Sequence, residues 1–209
     1  MALASGIFLK NGITLNRIMN SETDYHTVTY TGPFGYLKPW TAVRDGETYS
    51  QQFLTPSVIE GMRQKLGVAA ILRHKLTYTG LSLQQEQTQP RGWTHEKKKG
   101  MMTRPRAILV RGVMLTPELH LAFASATEAD AAASQHLCLC RNEDIVLPVA
   151  RLTVSEAEFD ALPGFELRPA TADEPGAFLV GFNRFANGEA MHGRLEIVGN
   201  PIRPVALVQ

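Results

Sequence analysis

At 209 residues and 44% hydrophobic content, the chain can bury a core of its own without disulfide or metal staples. Cys138 and Cys140 stand one residue apart and would close almost no loop if bridged, no apolar run reaches the roughly 18 residues of a membrane span, and Met1 to Phe8 lacks the basic start and length of a signal peptide; together these argue for a reducing, cytoplasmic location with no membrane partner. The net charge of +1 hides a segregation, because Gly61 to Arg111 holds eleven Lys or Arg against two acids, a balance of +9, and Gly112 to Asn183 holds three against eleven, a balance of −8.

His26 to Tyr30 alternates in the manner of a strand, and the breaker-rich Gly32-Pro33-Phe34-Gly35 turns the chain after it. Thr55 is a good N-cap, Pro56 suits the first helical position, and Val58, Ile59, Met62 and Leu66 fall at helical spacing up to a stop at Gly67. Val68 to Tyr78 reads as strand. Gln84 to Gly100 is too polar to bury and predicts a projecting hairpin or loop, after which Ala107 to Leu115 resumes the sheet. A second helix is predicted between Thr127 and Leu137, with Glu128 and Asp130 near its positive end, and a short third helix after Ser155 ending at Pro163-Gly164. Ala177 to Phe185 and Glu189 to Val198 read as a hairpin around Asn187-Gly188, and Ile202 to Val208 as a last strand. This order fits one α+β domain of ferredoxin-like character.

A field of this kind gathers polyanions at one end of a molecule. The densest charge, Lys97, Lys98 and Lys99 with Arg104 and Arg106, is surrounded by Gly92, Trp93, Gly100 and several glutamines, a composition suited to an arm laid along nucleic acid. Between Gly35 and Asp45, Lys38 and Arg44 accompany Tyr36 and Trp40; aromatic faces can stack on unpaired bases, and the same aromatics can equally serve a core strand. Free amides at Ser57 could hold a phosphate, although ordinary capping explains Thr55 as well. Arg73-His74-Lys75 is too basic for a buried strand unless one face meets a ligand, with a solvated edge as the alternative. For catalysis, His26, His74, His95 and His192 offer general acids and bases, and no spacing selects a pair. His136, Cys138 and Cys140 lack the second ligand pair of a tetrahedral zinc site, phosphate-loop and dinucleotide fingerprints are absent, and neither metal nor cofactor is expected.

A family pattern runs through Tyr30 to Trp40, Arg44, Thr48-Tyr49, Thr55-Pro56-Ser57 and Glu60-Gly61, then through Arg73 to Tyr78, the glutamines of Gln84 to Gln89 and the basic return strand Arg104 to Arg111. It resembles the RAMP-superfamily subunit that caps the five-prime handle of the guide RNA in multi-subunit, Cascade-like CRISPR effector complexes, with a type IV-like system preferred. Gly181 to Phe185 and Gly193 to Leu195 are loosely similar to RAMP glycine-rich loops. The resemblance implies a ferredoxin-like, RRM-like palm, a β-hairpin thumb at about residues 80–106 that inserts into the guide, and further antiparallel strands over about 145–209, all within one domain over 1–209. It implies a non-catalytic role in defence against foreign nucleic acid, beside the backbone-forming RAMP subunit and the large subunit, with target DNA met indirectly. Carried over by position, Lys38, Trp40, Arg44, Tyr49 and Gln51 lie near the handle, and Arg73, His74, Lys75, Arg91, Trp93, Lys97, Lys98, Lys99, Arg104, Arg106 and Arg111 belong to palm edge and thumb. Two rival readings are a metal-independent repeat endoribonuclease using His26 or His74 with Tyr49 and Lys75, and a protein-interaction module with a basic face.

Overall fold

The alternation of the first strand is realised in β1 (Asp24–Thr31), where Val28 and Tyr30 are fully buried on one face and Thr27 and Thr29 lie on the other. The computed structural model describes residues 24–39, 46–88, 92–104, 107–183 and 186–204. After β1 come the short strands β2 (Phe34–Gly35) and β3 (Glu47–Tyr49), then helix α1 (Pro56–Leu66). Thr55 is the N-cap residue of α1, its hydroxyl bonded to Ser57 Oγ at 3.0 Å rather than to a backbone amide. Gly67, at φ 69°, takes the left-handed position that closes the helix, a conformation glycine adopts at little cost.

The strand predicted from Val68 is shorter, β4 (Arg73–Thr77). Val68 is instead buried behind the helix end, and its carbonyl accepts from Arg63 Nη1 at 3.0 Å. Beyond the hairpin described below, β9 (Glu118–Phe123) leads to α2 (Ala126–Ala133), where Ser125 caps the Glu128 amide. This helix ends before the predicted Leu137, which pairs instead in β10 (Leu137–Cys138) with β11 (Ile145–Ser155). Helix α3 (Glu156–Ala161) opens on a reciprocal capping box between Ser155 and Glu158. It leads to β12 (Gly164–Ala170), β13 (Ala177–Asn183) and β14 (Glu189–Val198). The turn between the last two holds Asn187 and Gly188 at φ 51° and 76°, as its sequence predicts. Ile202 forms a parallel bridge to Tyr78, and residues 205–208 of the predicted final strand lie outside the described residues.

The result is a sheet-dominated α+β architecture. One eight-stranded sheet runs in the order β10-β11-β1-β9-β4-β12-β14-β13, with antiparallel neighbours throughout. Helix α1 crosses from β1 to β4 and α2 from β9 to β11, so both pack on one face, where Met62, Leu66, Ala129 and Ala132 meet Val28, Tyr30, Leu76, Leu119, Leu121 and Phe123. Burial of apolar area at about 25 cal/mol per Å² makes this layer the main source of stability. Tyr30 is tied into it by donating to the Ala132 carbonyl at 2.7 Å. A smaller apolar cluster on the other face joins Phe159 of α3 to Tyr25 and Ala122.

Between β4 and β9 the chain leaves this sheet as a long hairpin. Strands β5 (Gly80–Thr88) and β8 (Ala107–Leu115) pair along their whole length, from Gly80 opposite Leu115 to Thr88 opposite Ala107. Nine residues per strand carry the chain roughly 30 Å. The other edge of β8 is held by β2, antiparallel at Leu115 and Met114, and by β3, parallel from Val110 to Gly112. At the far end, β6 (Thr94–Glu96) and β7 (Met101–Thr103) close a small second ladder through a turn with Gly100 at φ 60°.

Candidate nucleic-acid interface

The tip of the hairpin gathers side chains that a folded core would reject or cover. Trp93 is 63% exposed, and Met101 and Met102 are 58% and 56% exposed. The Arg104 guanidinium lies 5.4 Å from the Trp93 ring centre, a cation–π contact. Lys97, Lys98 and Lys99 occupy the turn between β6 and β7 and are all exposed. Lys99 pairs with Glu96 at 3.3 Å, and no carboxylate among the described residues pairs with Lys97 or Lys98. A two-stranded projection cannot bury an indole, so Trp93 presents its surface to solvent together with unneutralised positive charge.

The root of the hairpin carries a second aromatic surface. Tyr49, half exposed, lays its ring against β8 at Gly112, where a Cβ would stand only 2.3 Å from Tyr49 Cδ1. Glycine is the residue that permits this approach. The Tyr49 hydroxyl donates to Glu47 Oε1 at 2.7 Å, and the neighbouring carboxylate raises its pKa above the ordinary phenol value. Leu83, paired with Gly112, is 59% exposed beside it. Lys38 is exposed at the same root. Gln51 Nε2 donates to the Phe53 carbonyl at 2.8 Å and its backbone amide to Leu37 at 2.8 Å, so the segment before α1 is stitched to the one after β2.

Three of the expected palm-edge residues are placed differently. Arg73, His74 and Lys75 are 6%, 6% and 1% exposed. Arg73 Nε and Nη2 donate to the two oxygens of Glu166 at 2.6 and 2.8 Å, and Nη2 also to Asp160 at 2.7 Å. These bonds raise the Arg73 pKa above its ordinary value. Lys75 Nζ donates to the carbonyls of Asp160 and Leu162 at 2.7 and 2.6 Å, while burial lowers its pKa. Both cations also lie over the Phe159 ring, at 5.1 and 5.7 Å from its centre. The two cations are thus held under α3 by acids and carbonyls from the far half of the chain. His74, pointing to the helical face, accepts from the Leu167 amide through Nε2 at 3.3 Å, and burial pushes its pKa down to about 4.

Arg111 is similarly engaged. It pairs with Glu86 at 3.3 Å, donates to Thr48 Oγ1 and stacks its guanidinium over Tyr36 at 5.5 Å. Tyr36 is itself buried, its hydroxyl bonded to Thr48 at 3.2 Å and its ring flanked by Arg141 as well, so it belongs to the core and is no platform for a base. Trp40, Arg44, Arg91 and Arg106 lie outside the described residues. Of the residues considered for RNA cleavage, His74 and Lys75 point to opposite faces of one strand, His95 lies on β6 at the hairpin tip, and His26 bonds to Thr153 on β11 at 3.2 Å.

Sequence reasoning missed the apolar share of the tip. Met101 and Met102 stand immediately after the lysine run and Gly100, and two thioethers beside an exposed indole were the available signal. No family model matches the sequence, and no curated protein matches it. Among solved structures the chain is similar to one described as a CRISPR RNA-guided surveillance complex, at 13% identity over 87% of this chain and 95% of that chain, with a TM-score of 0.47.

Proposed function

We propose that the chain is a non-catalytic RNA-binding subunit that caps the five-prime handle of the guide in a CRISPR effector ribonucleoprotein, with the projecting hairpin as its thumb. One observation carries this reading: the hairpin lifts an exposed indole, two exposed methionines and at least two unpaired lysines away from the body of the protein. Stacking surfaces beside mobile cations are what a single strand of RNA needs, since every base has a π-face and every linkage a negative charge. A β11-β1-β9-β4 order with α1 and α2 as crossovers on one face supports a ferredoxin-like palm beneath that thumb. The RNA-binding set is accordingly narrowed to Lys38, Tyr49, Trp93, Lys97, Lys98, Lys99 and Arg104 among the described residues. Backbone-forming and large subunits of the complex are the protein partners this reading requires.

The test is the salt dependence of binding to handle RNA. A site of this type releases counterions when it engages phosphates, so affinity should fall steeply with ionic strength. Replacing Lys97, Lys98 and Lys99 together by Ala should weaken binding to all sequences and reduce the log–log salt slope by roughly one per lost phosphate contact. A triple variant with the wild-type slope would remove the hairpin tip from the interface and with it the proposed function.

A further inference from the structure

On the helical face of the sheet, where α1 stops short of the C-terminal strands, lies a cavity of about 690 Å³. Leu54, Pro56 and Ile59 line one side, and Leu167, Val180 and Met191 line the other. Phe53, in the segment leading into α1, meets Phe178 of β13 edge to face at 6.1 Å, tying the two sides together. The volume is that of a small-molecule or single-nucleoside site.

Three polar side chains bordering this space, Arg73, His74 and Glu166, are nine-tenths or more buried; Arg73 and Glu166 are bonded to each other, whereas His74 is incompletely used. His74 lines the cavity, and its Nε2 accepts the Leu167 amide at 3.3 Å. A neutral imidazole that accepts at Nε2 carries its proton on Nδ1. Among the described residues no group accepts from Nδ1, and that atom is not sealed within packed protein. The cavity is therefore offered a hydrogen-bond donor of fixed tautomer. Glu60 also lines the cavity, its carboxylate already held by Arg63 and Gln64, and Arg73 in the lining is likewise taken up by Glu166, so neither offers a free charge to a ligand.

We propose that this cavity receives one unpaired nucleobase of the bound RNA, with the His74 Nδ1–H donating to a ring nitrogen or carbonyl on its edge and the sugar-phosphate remaining outside. The inference rests on the RNA-binding reading above and assigns it a second, base-holding contact on the body of the protein. A base suits the walls because its faces are apolar and its edge is not, and a purely apolar side chain would leave the Nδ1–H without an acceptor. Met191 provides a polarizable, adaptable surface against a flat ring.

The experiment uses the full chain and a set of single-stranded RNAs, each made abasic at one position. In the wild-type protein one position should cost about tenfold in affinity on losing its base, the ratio expected of a buried hydrogen bond with its packing. That penalty should vanish in Met191→Trp, which fills the cavity, and shrink in His74→Met, which leaves a weak thioether acceptor for the Leu167 amide and has no donor to replace Nδ1–H. Circular dichroism and thermal melts establish that both variants are folded. If every abasic RNA binds alike while the triple lysine variant still weakens binding, the cavity proposal is overturned and the hairpin reading stands. A Met191→Trp protein that keeps the base penalty overturns it as well, and leaves the cavity to a side chain of a protein partner. Absence of RNA binding altogether removes both.

Discussion

Trp93 and Arg73 show how differently two conspicuous residues of one basic segment are used. Trp93 gains little from the fold, having the Arg104 guanidinium against its ring and 63% of its surface in water. Its replacement by Ala should change the folding stability by no more than about 0.5 kcal/mol, and should cost on the order of 1–3 kcal/mol of RNA binding, the range for a stacked base. Thermal melts and an affinity measurement on that one variant decide the matter: a destabilised protein with intact binding would return Trp93 to the core. Arg73 is the converse case, a cation withdrawn from solvent. Nothing within ten residues of Arg73 signals this, because its partner Glu166 is 93 positions away.

At the scale of elements, local rules held where local chemistry decides. Thr55-Pro56 to Gly67 bounds α1, Ser155 opens α3, Asn187-Gly188 turns the last hairpin, and the strand Ala107–Leu115 matches its predicted bounds. The polar excursion after Gln84 was legible as a projection because glutamines and lysines cannot repay their desolvation in a core. Its paired portion, however, begins earlier at Gly80. The basic strand β4 was misread for a long-range reason, since acids and carbonyls delivered by α3 and β12 make burial tolerable. That arrangement is testable. Glu166→Ala leaves Arg73 buried with only the half-exposed Asp160 and Glu156 as ion-pair partners and should cost about 3–5 kcal/mol of stability, whereas Asp160→Ala, at the half-exposed end of the same network, should cost about 1 kcal/mol or less. Equal, small losses in a urea titration would show that α3 is not held by this network.

For the whole molecule, the fold withdraws part of the basic segment's charge into the body of the protein. Arg73 pairs with Asp160 and Glu166 and Lys75 is held by backbone carbonyls, so the +9 of the basic segment overstates the charge it presents to solvent, and Lys97, Lys98 and Lys99 remain exposed at the hairpin tip. Protons report on the same body. The His74 pKa falls from an ordinary 6.5 to about 4 in the fold, through burial, with the Glu166 charge opposing the shift and the Arg73 charge adding to it. Between those values the unfolded chain binds a proton that the folded chain refuses, so stability is complete above pH 6.5 and declines towards pH 4, by about 3 kcal/mol. His120, also lowered by burial, adds in the same direction. Carboxylates such as Asp160, held below their usual range, act only at lower pH. Melting temperatures at pH 7 and pH 5 should therefore differ, and His74→Gln should narrow the gap; an unchanged gap would assign the acid sensitivity elsewhere.

The bond between Arg73 and Glu166 also orders events in time. A ribosome that adds about 5–20 residues per second releases Glu166 roughly 5–20 s after Arg73. Throughout that interval β4 presents Arg73 and Lys75 without the carboxylates and carbonyls that later enclose them. The nascent chain is thus more cationic than the finished protein while still beside ribosomal RNA, and docking of α3 and β12 is the step that ends this exposure.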